Sequence, residues 1–321
     1  MHRLVHLAFL VSAAAGAAEP PVHNLAPAFA AFWDRTRDEP MTVRVKHFKE
    51  QVAPSFPAFY GVARYGGARN QAEQDRRIEQ AIADFPAIRE RYARKAAGLG
   101  TQLRRHQQTL KKNFPDYRPD TEIYLLHSLG EMDAGPRSLA GRDVLVFGVD
   151  LMAKLHGDDD ESAFFQHELF HLYHQRLLGD CESGKVWSSL WKEGLATYVS
   201  QQLNPGATER ELLLDFPAGM PARTRAALPA ALAQLDTVLD SEDAATWGGL
   251  FHTRTNDGTT LPGRRGYYLG YLVAREAGKR RNLQELARLD CGAARAAVQS
   301  TLRGLREEAQ KSERDATAAS R

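Results

Sequence analysis

The chain has 321 residues, 43% hydrophobic and 26% charged, with a formal net charge of +2. That composition excludes a disordered or collagen-like polypeptide and suffices for one large core or two modest ones. Charges of both signs are interspersed, which gives no electrostatic case for a nucleic-acid or anionic-membrane partner.

Met1-His-Arg leads into an apolar run from Leu4 to Ala15 and a small-residue stretch ending at Ala18. This is the layout of a secretory signal peptide over residues 1–18, with cleavage expected after Ala17 or Ala18. The run is shorter than the roughly 20 residues of a membrane span, and no later stretch reaches that length. The expected destination is the periplasm or the exterior, with no stable membrane insertion after cleavage.

Residues 19–118 read as a helical N-terminal lobe. A short helix and a stretch with Pro54 and Pro57 occupy 24–60, and two charged helices split at Gly98-Leu-Gly100 are expected over 70–113. The arginines between 89 and 105 have acidic companions at helical spacing and read as a solvated face. Residues 121–129 and 143–149 are β-rich and separated by Gly- and Pro-containing turns. They predict a small sheet along whose exposed edge an extended peptide could be held by main-chain hydrogen bonds.

The segment Glu161 to Leu178 carries apolar residues at 164, 165, 169, 172, 177 and 178, and Asp158 to Asp160 before it are N-cap candidates. His167-Glu-Leu-Phe-His171 lies inside this helix. Positions i and i+4 share a helix face, so both imidazoles can reach one ion, while Glu168, about 100° round, stays near it but beyond direct bonding. A second helix-compatible segment, Val186 to Leu203, contains Glu193 within Trp191-Lys-Glu-Gly-Leu-Ala196. Two His and one Glu would hold one zinc ion and leave a fourth position open to water, as a catalytic rather than a structural site requires. His174 is set aside as a ligand: the helix rises about 10.5 Å from 167 to 174, too far for one ion. It is expected beside the ligands or at the surface.

Cys181 and Cys291 are the chain's two cysteines. In an exported protein such a pair is more often bridged than free, with two buried thiols as the alternative. Residues 206–303 read as a helical C-terminal lobe punctuated by Pro217, Pro221 and Pro262, and 304–321 as a charged, flexible tail.

These residues resemble the gluzincins, metallopeptidases with His-Glu-x-x-His and a downstream Glu ligand. Trp191 to Ala196 looks like their ligand-bearing helix, and Arg265 to Ala274 is similar to the Tyr-x-x-Gly segment that carries a transition-state tyrosine, matching Tyr267. The likeness is closest to an uncharacterised bacterial family of predicted zinc-dependent proteases and covers roughly residues 120–300. It implies an α+β, mostly helical fold with a zincin-like core at 119–205 and the small sheet beside the metal-binding helix. It also implies a peptide or protein substrate, with Glu168 as general base and Tyr267 as oxyanion donor, Tyr268 and Tyr271 being the fallbacks. Gly130-Glu-Met-Asp-Ala134 only partly imitates the Gly-x-Met-Glu-Asn strand that binds a substrate amine in the aminopeptidases, so that specificity is not implied and the segment reads as strand and turn. The competing reading is a catalytically silent zincin that holds metal or a partner in the envelope.

Overall fold

The computed structural model describes residues 21–65, 70–253 and 257–319; the expected signal peptide lies outside them. In chain order the elements are β1 (Val22–Asn24), α1 (Ala26–Thr36), α2 (Met41–Gln51), α3 (Pro57–Tyr60), α4 (Gln71–Asn113), β2 (Glu122–Leu126), β3 (Ala134–Leu139) and β4 (Arg142–Gly148). There follow α5 (Val149–Leu151), running into a π turn over Met152–His156, then α6 (Ser162–Leu178), α7 (Val186–Leu203), α8 (Met220–Ala226) and α9 (Leu228–Val238). The described chain ends with α10 (Ala244–Phe251), α11 (Arg265–Ala277), α12 (Leu283–Ala287) and α13 (Cys291–Ala319). The fold is α+β and mostly helical, and one hydrophobic cluster runs through all three expected segments, from Phe29 and Phe85 through Leu145 and Phe165 to Leu232 and Val298.

Two expectations for the helices are corrected. Residues 71–113 form one helix rather than two. Glycine in a helix interior costs up to about 1 kcal/mol, but Leu99 between the two glycines is buried, as are Ala96 and Leu103 beside it, so packing outweighs propensity. Pro86, deeper in the same helix, has no N–H to give to Ile82 O; the indole of Trp33 donates to that carbonyl instead at 2.9 Å. At the other end, the stretch read as a flexible tail continues α13 to Ala319. Its first turns are anchored by buried Ala294, Val298 and Leu302, and the helix propagates from there.

The sheet has the order β1-β2-β4-β3, with β1, β2 and β4 parallel and β3 antiparallel to β4. β3 was not expected, because Gly135-Pro136 reads as a turn. An edge strand tolerates proline when its nitrogen faces away from the neighbour. The register meets that condition: Gly148 N donates to Asp133 O and Ala134 faces Phe147, so alternation turns the backbone groups of Ala134, Pro136 and Ser138 outward. Ala140 (φ 50°) and Gly141 (φ 76°) close the β3–β4 hairpin, both with the positive φ that a two-residue type I′ loop needs.

α6 lies against this sheet, with Phe147 of β4 packing on Phe164 and Phe165 at ring separations of 5.9 and 5.3 Å. On another side His106 of α4 stacks on Phe165. The helix ends at Gly179, whose φ of 61° suits glycine and whose N–H caps Gln175 O. Cys181, in the loop that follows, is bridged to Cys291 at the start of α13, tying the metal-helix region to the C-terminal helices. No helix among the described residues is long and apolar enough to cross a membrane.

Candidate metal centre

α6 and α7 pack side by side and bring His167, His171 and Glu193 together. His167 Nε2 lies 2.9 Å from His171 Nε2 and 3.2 Å from a Glu193 carboxylate oxygen, and His171 Nε2 lies 3.3 Å from that same oxygen. Donor atoms about 2.05 Å from a tetrahedral ion stand about 3.3 Å apart, so this near-equilateral triangle fits one first-row divalent ion with its fourth side free. The donor set of two imidazoles and a carboxylate suits zinc and does not by itself choose it over its neighbours. Thr197, one helical turn after Glu193, donates its hydroxyl to Glu193 O at 2.9 Å and stands 3.4 Å from His167 Nδ1. With its proton committed, that oxygen accepts from Nδ1, which leaves the Nε2 lone pair of His167 turned into the triangle.

The three side chains also perturb one another electrostatically. Burial alone would raise the Glu193 carboxyl, but the two imidazoles outweigh it and hold it far below its usual range. Burial and then the neighbouring imidazole lower His167, whereas His171, which burial would also lower, is raised by Glu193.

Glu168 is buried, accepts no hydrogen bond from the described residues, and is pushed up to about 8, chiefly by burial and further by Asp133 and Glu193. It lines, with the three ligands, Tyr267 and Asp133, a cavity of about 190 Å³. Burial, then the negative charges of Glu193 and Glu168, raise the Tyr267 phenol, so it stays protonated and able to donate. The fallback tyrosines sit elsewhere: Tyr268 accepts from Arg225 at 3.3 Å, and Tyr271 lies under the Arg275 guanidinium.

Two glycines account for the meeting of Glu193 and Tyr267. Gly194 on α7 and Gly270 on α11 touch backbone to backbone; a methyl group at Gly270 would sit 2.5 Å from Leu190 O and 3.0 Å from Gly194 Cα. Glu193 is followed directly by a glycine and Tyr267 by one a helical turn later because the two helices approach too closely there for any side chain. His174 is not at the surface: it is buried, stacked on Phe170 and kept neutral, its pKa lowered to about 3 by burial.

Several residues of the site were not legible from spacing. Asp133 lies on the turn before β3 and accepts from His156 Nε2 at 3.1 Å, while His156 Nδ1 faces Glu161 at 2.9 Å, itself paired with Lys95 at 2.8 Å. This buried chain of alternating charge runs from Lys95 of α4 to Asp133 at the cavity wall. Burial would lower His156, but Asp133 and Glu161 win and raise it. Arg264, at the N-cap of α11, also lines the cavity. Only Thr197 had a usable signal, its helical spacing from Glu193.

Comparison with known protein families, with curated proteins and with solved structures found no match.

Proposed function

We propose that the chain is a zinc metallopeptidase with a zincin-like core, acting outside the cytoplasm on peptides or proteins. The observation that carries this reading is the triangle of His167, His171 and Glu193 opening into a cavity that Glu168 and Tyr267 also line. A zinc ion held there would lower the pKa of a water toward neutrality and polarise a carbonyl. Glu168 is raised by burial and by neighbouring carboxylates, and a dication beside it would favour its ionised form, in which it takes the proton as the water oxygen adds to the carbonyl carbon. It returns that proton to the nitrogen as the peptide C–N bond breaks. Tyr267 donates to the carbonyl oxygen while negative charge grows on it.

Retention of an acid–base group is what favours catalysis over simple metal storage, since holding an ion does not require Glu168. A peptide substrate is supported by the edge strand: Ala134, Gly135 and Pro136 of β3 border the cavity. The outward carbonyls of Ala134 and Pro136 can accept from an extended chain, whereas proline has no N–H and the Ala134 N–H is taken by the Asp133 side chain. The disulfide fits an oxidising compartment. Mass-spectrometric profiling of a peptide library, with and without chelator, tests the proposal. Chelator-sensitive cleavage by the mature chain that disappears in Glu168→Gln is the expected result; stoichiometric metal with no cleavage points to the silent zincin.

A further inference from the structure

Arg264 and Arg265 are adjacent and have opposite fates. Arg265 is wholly buried, ion-paired with Asp257, and donates to Gly249 O at 2.9 Å, Pro262 O at 3.2 Å and Gln234 Oε1 at 3.1 Å. It pins the loop that leads into α11. Arg264 faces the cavity that holds the metal triangle and also a neighbouring one of about 240 Å³, and it is held there by a backbone φ of 61°, a conformation uncommon for a residue with a side chain. Its guanidinium lies 4.2 Å over the Tyr267 ring and 5.4 Å from that of Phe216. Its Nε is buried and unpartnered, and among the described residues no carboxylate lies within ion-pairing distance.

Most of the neighbouring acids are engaged elsewhere: Glu131 and Asp159 by Arg64 and Arg210, Glu161 by Lys95, Asp133 by His156, Glu193 by the two imidazoles, Glu211 by Thr208, and Asp160 and Asp215 by the backbone N–H groups of Ser162 and Gly219. Glu168 accepts no hydrogen bond but lies beyond ion-pairing distance of Arg264 and belongs to the proton-transfer role given above. A guanidinium is a rigid fork of donors matched to a carboxylate, and one kept charged and unmatched at a cavity wall is a receptor awaiting an anion. Two aromatic faces keep it in place without supplying a counter-charge.

We propose that Arg264 receives a substrate carboxylate, so that the peptides acted on carry a free carboxylate close to the scissile bond. This rests on the peptidase reading above. The carboxylate has two possible sources, the C-terminus of a short peptide or an acidic side chain.

Calorimetric titration of the full mature chain, freed of metal, with N-acetyl-alanyl-phenylalanine, its C-terminal amide and N-acetyl-alanyl-aspartyl amide tests the assignment without recourse to turnover. Wild type is expected to prefer a carboxylate-bearing probe over the plain amide by about tenfold or more. That preference should vanish in Arg264→Gln and recover in part in Arg264→Lys, which keeps the charge but not the fork. Binding of the free acid alone assigns the C-terminus and an exo-acting enzyme; equal binding of the aspartyl amide assigns the side chain. Equal affinity of wild type for both kinds of probe, undetectable binding of both included, overturns the proposal, as does a preference that survives in Arg264→Gln. Carboxylate-dependent binding by the metal-free chain with no cleavage of any library peptide by the zinc-loaded chain would sink the peptidase reading instead, and zinc-loaded cleavage indifferent to the carboxylate would sink only this one.

Discussion

Substituting Gly270 by alanine separates holding the metal from using it. The added methyl would stand 2.5 Å from Leu190 O, where a carbon–oxygen contact needs about 3.3 Å or more, so α7 and α11 must part by about 1 Å. The obstacle is helix backbone and cannot swing aside. Overpacking of this kind costs about 1–3 kcal/mol, and the better helix propensity of alanine returns up to about 1 of it. A melting temperature lower by a few degrees is the expected consequence. The ligand triangle belongs to α6 and α7 and is spared, so zinc stoichiometry should not change. Tyr267, one turn before Gly270, is displaced, and a shift of about 1 Å at a catalytic group can lower turnover about 10²-fold. Calorimetry, metal analysis and steady-state cleavage of the best library peptide give the three readouts. Wild-type turnover in a folded Gly270→Ala protein would refute both the close helix approach and the role given to Tyr267.

Glu168→Gln should bind zinc as wild type does and lose about 10²-fold to 10⁴-fold in turnover, whereas His171→Ala should lose metal and activity together, both read by metal analysis beside peptide cleavage. Replacing Cys181 and Cys291 by alanine opens a link spanning 110 residues, and denaturant unfolding should show a loss of up to about 4.7 kcal/mol. Trp33→Phe leaves Ile82 O without a donor at the Pro86 gap and should destabilise by about 1–3 kcal/mol in the same assay. His156 has a folded pKa above its unfolded value of about 6.5. Its contribution to stability is therefore complete below about pH 6.5 and lost as pH rises through the folded value; unfolding free energies of wild type and His156→Gln should converge over that rise and stay parallel if the pairing with Asp133 and Glu161 is absent.

The parts of the site legible in the sequence are those governed by local periodicity. His167 and His171 share a face by helical geometry, Val186 to Leu203 contains no proline, and residues 122–126 and 142–148 carry β-branched and aromatic side chains. What escaped is non-local. β3 hides behind Gly135-Pro136 because only its place at the sheet edge makes a proline acceptable, and the glycines at 98 and 100 break no helix because Leu99 between them is buried. His174, for which spacing leaves both a place beside the ligands and one at the surface, is buried against Phe170. Asp133, His156 and Arg264 come from three separate turns that only the assembled fold brings to one cavity system. The contact of Gly194 with Gly270 was present as two motif glycines whose pairing nothing in the linear order reveals.

Anomalous diffraction at the zinc edge from crystals of the mature protein grown with zinc locates the ion and its ligands independently of turnover. A single strong peak is expected about 2.1 Å from His167 Nε2, His171 Nε2 and a Glu193 carboxylate oxygen, with Glu168 outside bonding distance. A zinc ion bound through other residues, or ligated directly by Glu168, would contradict the proposed centre.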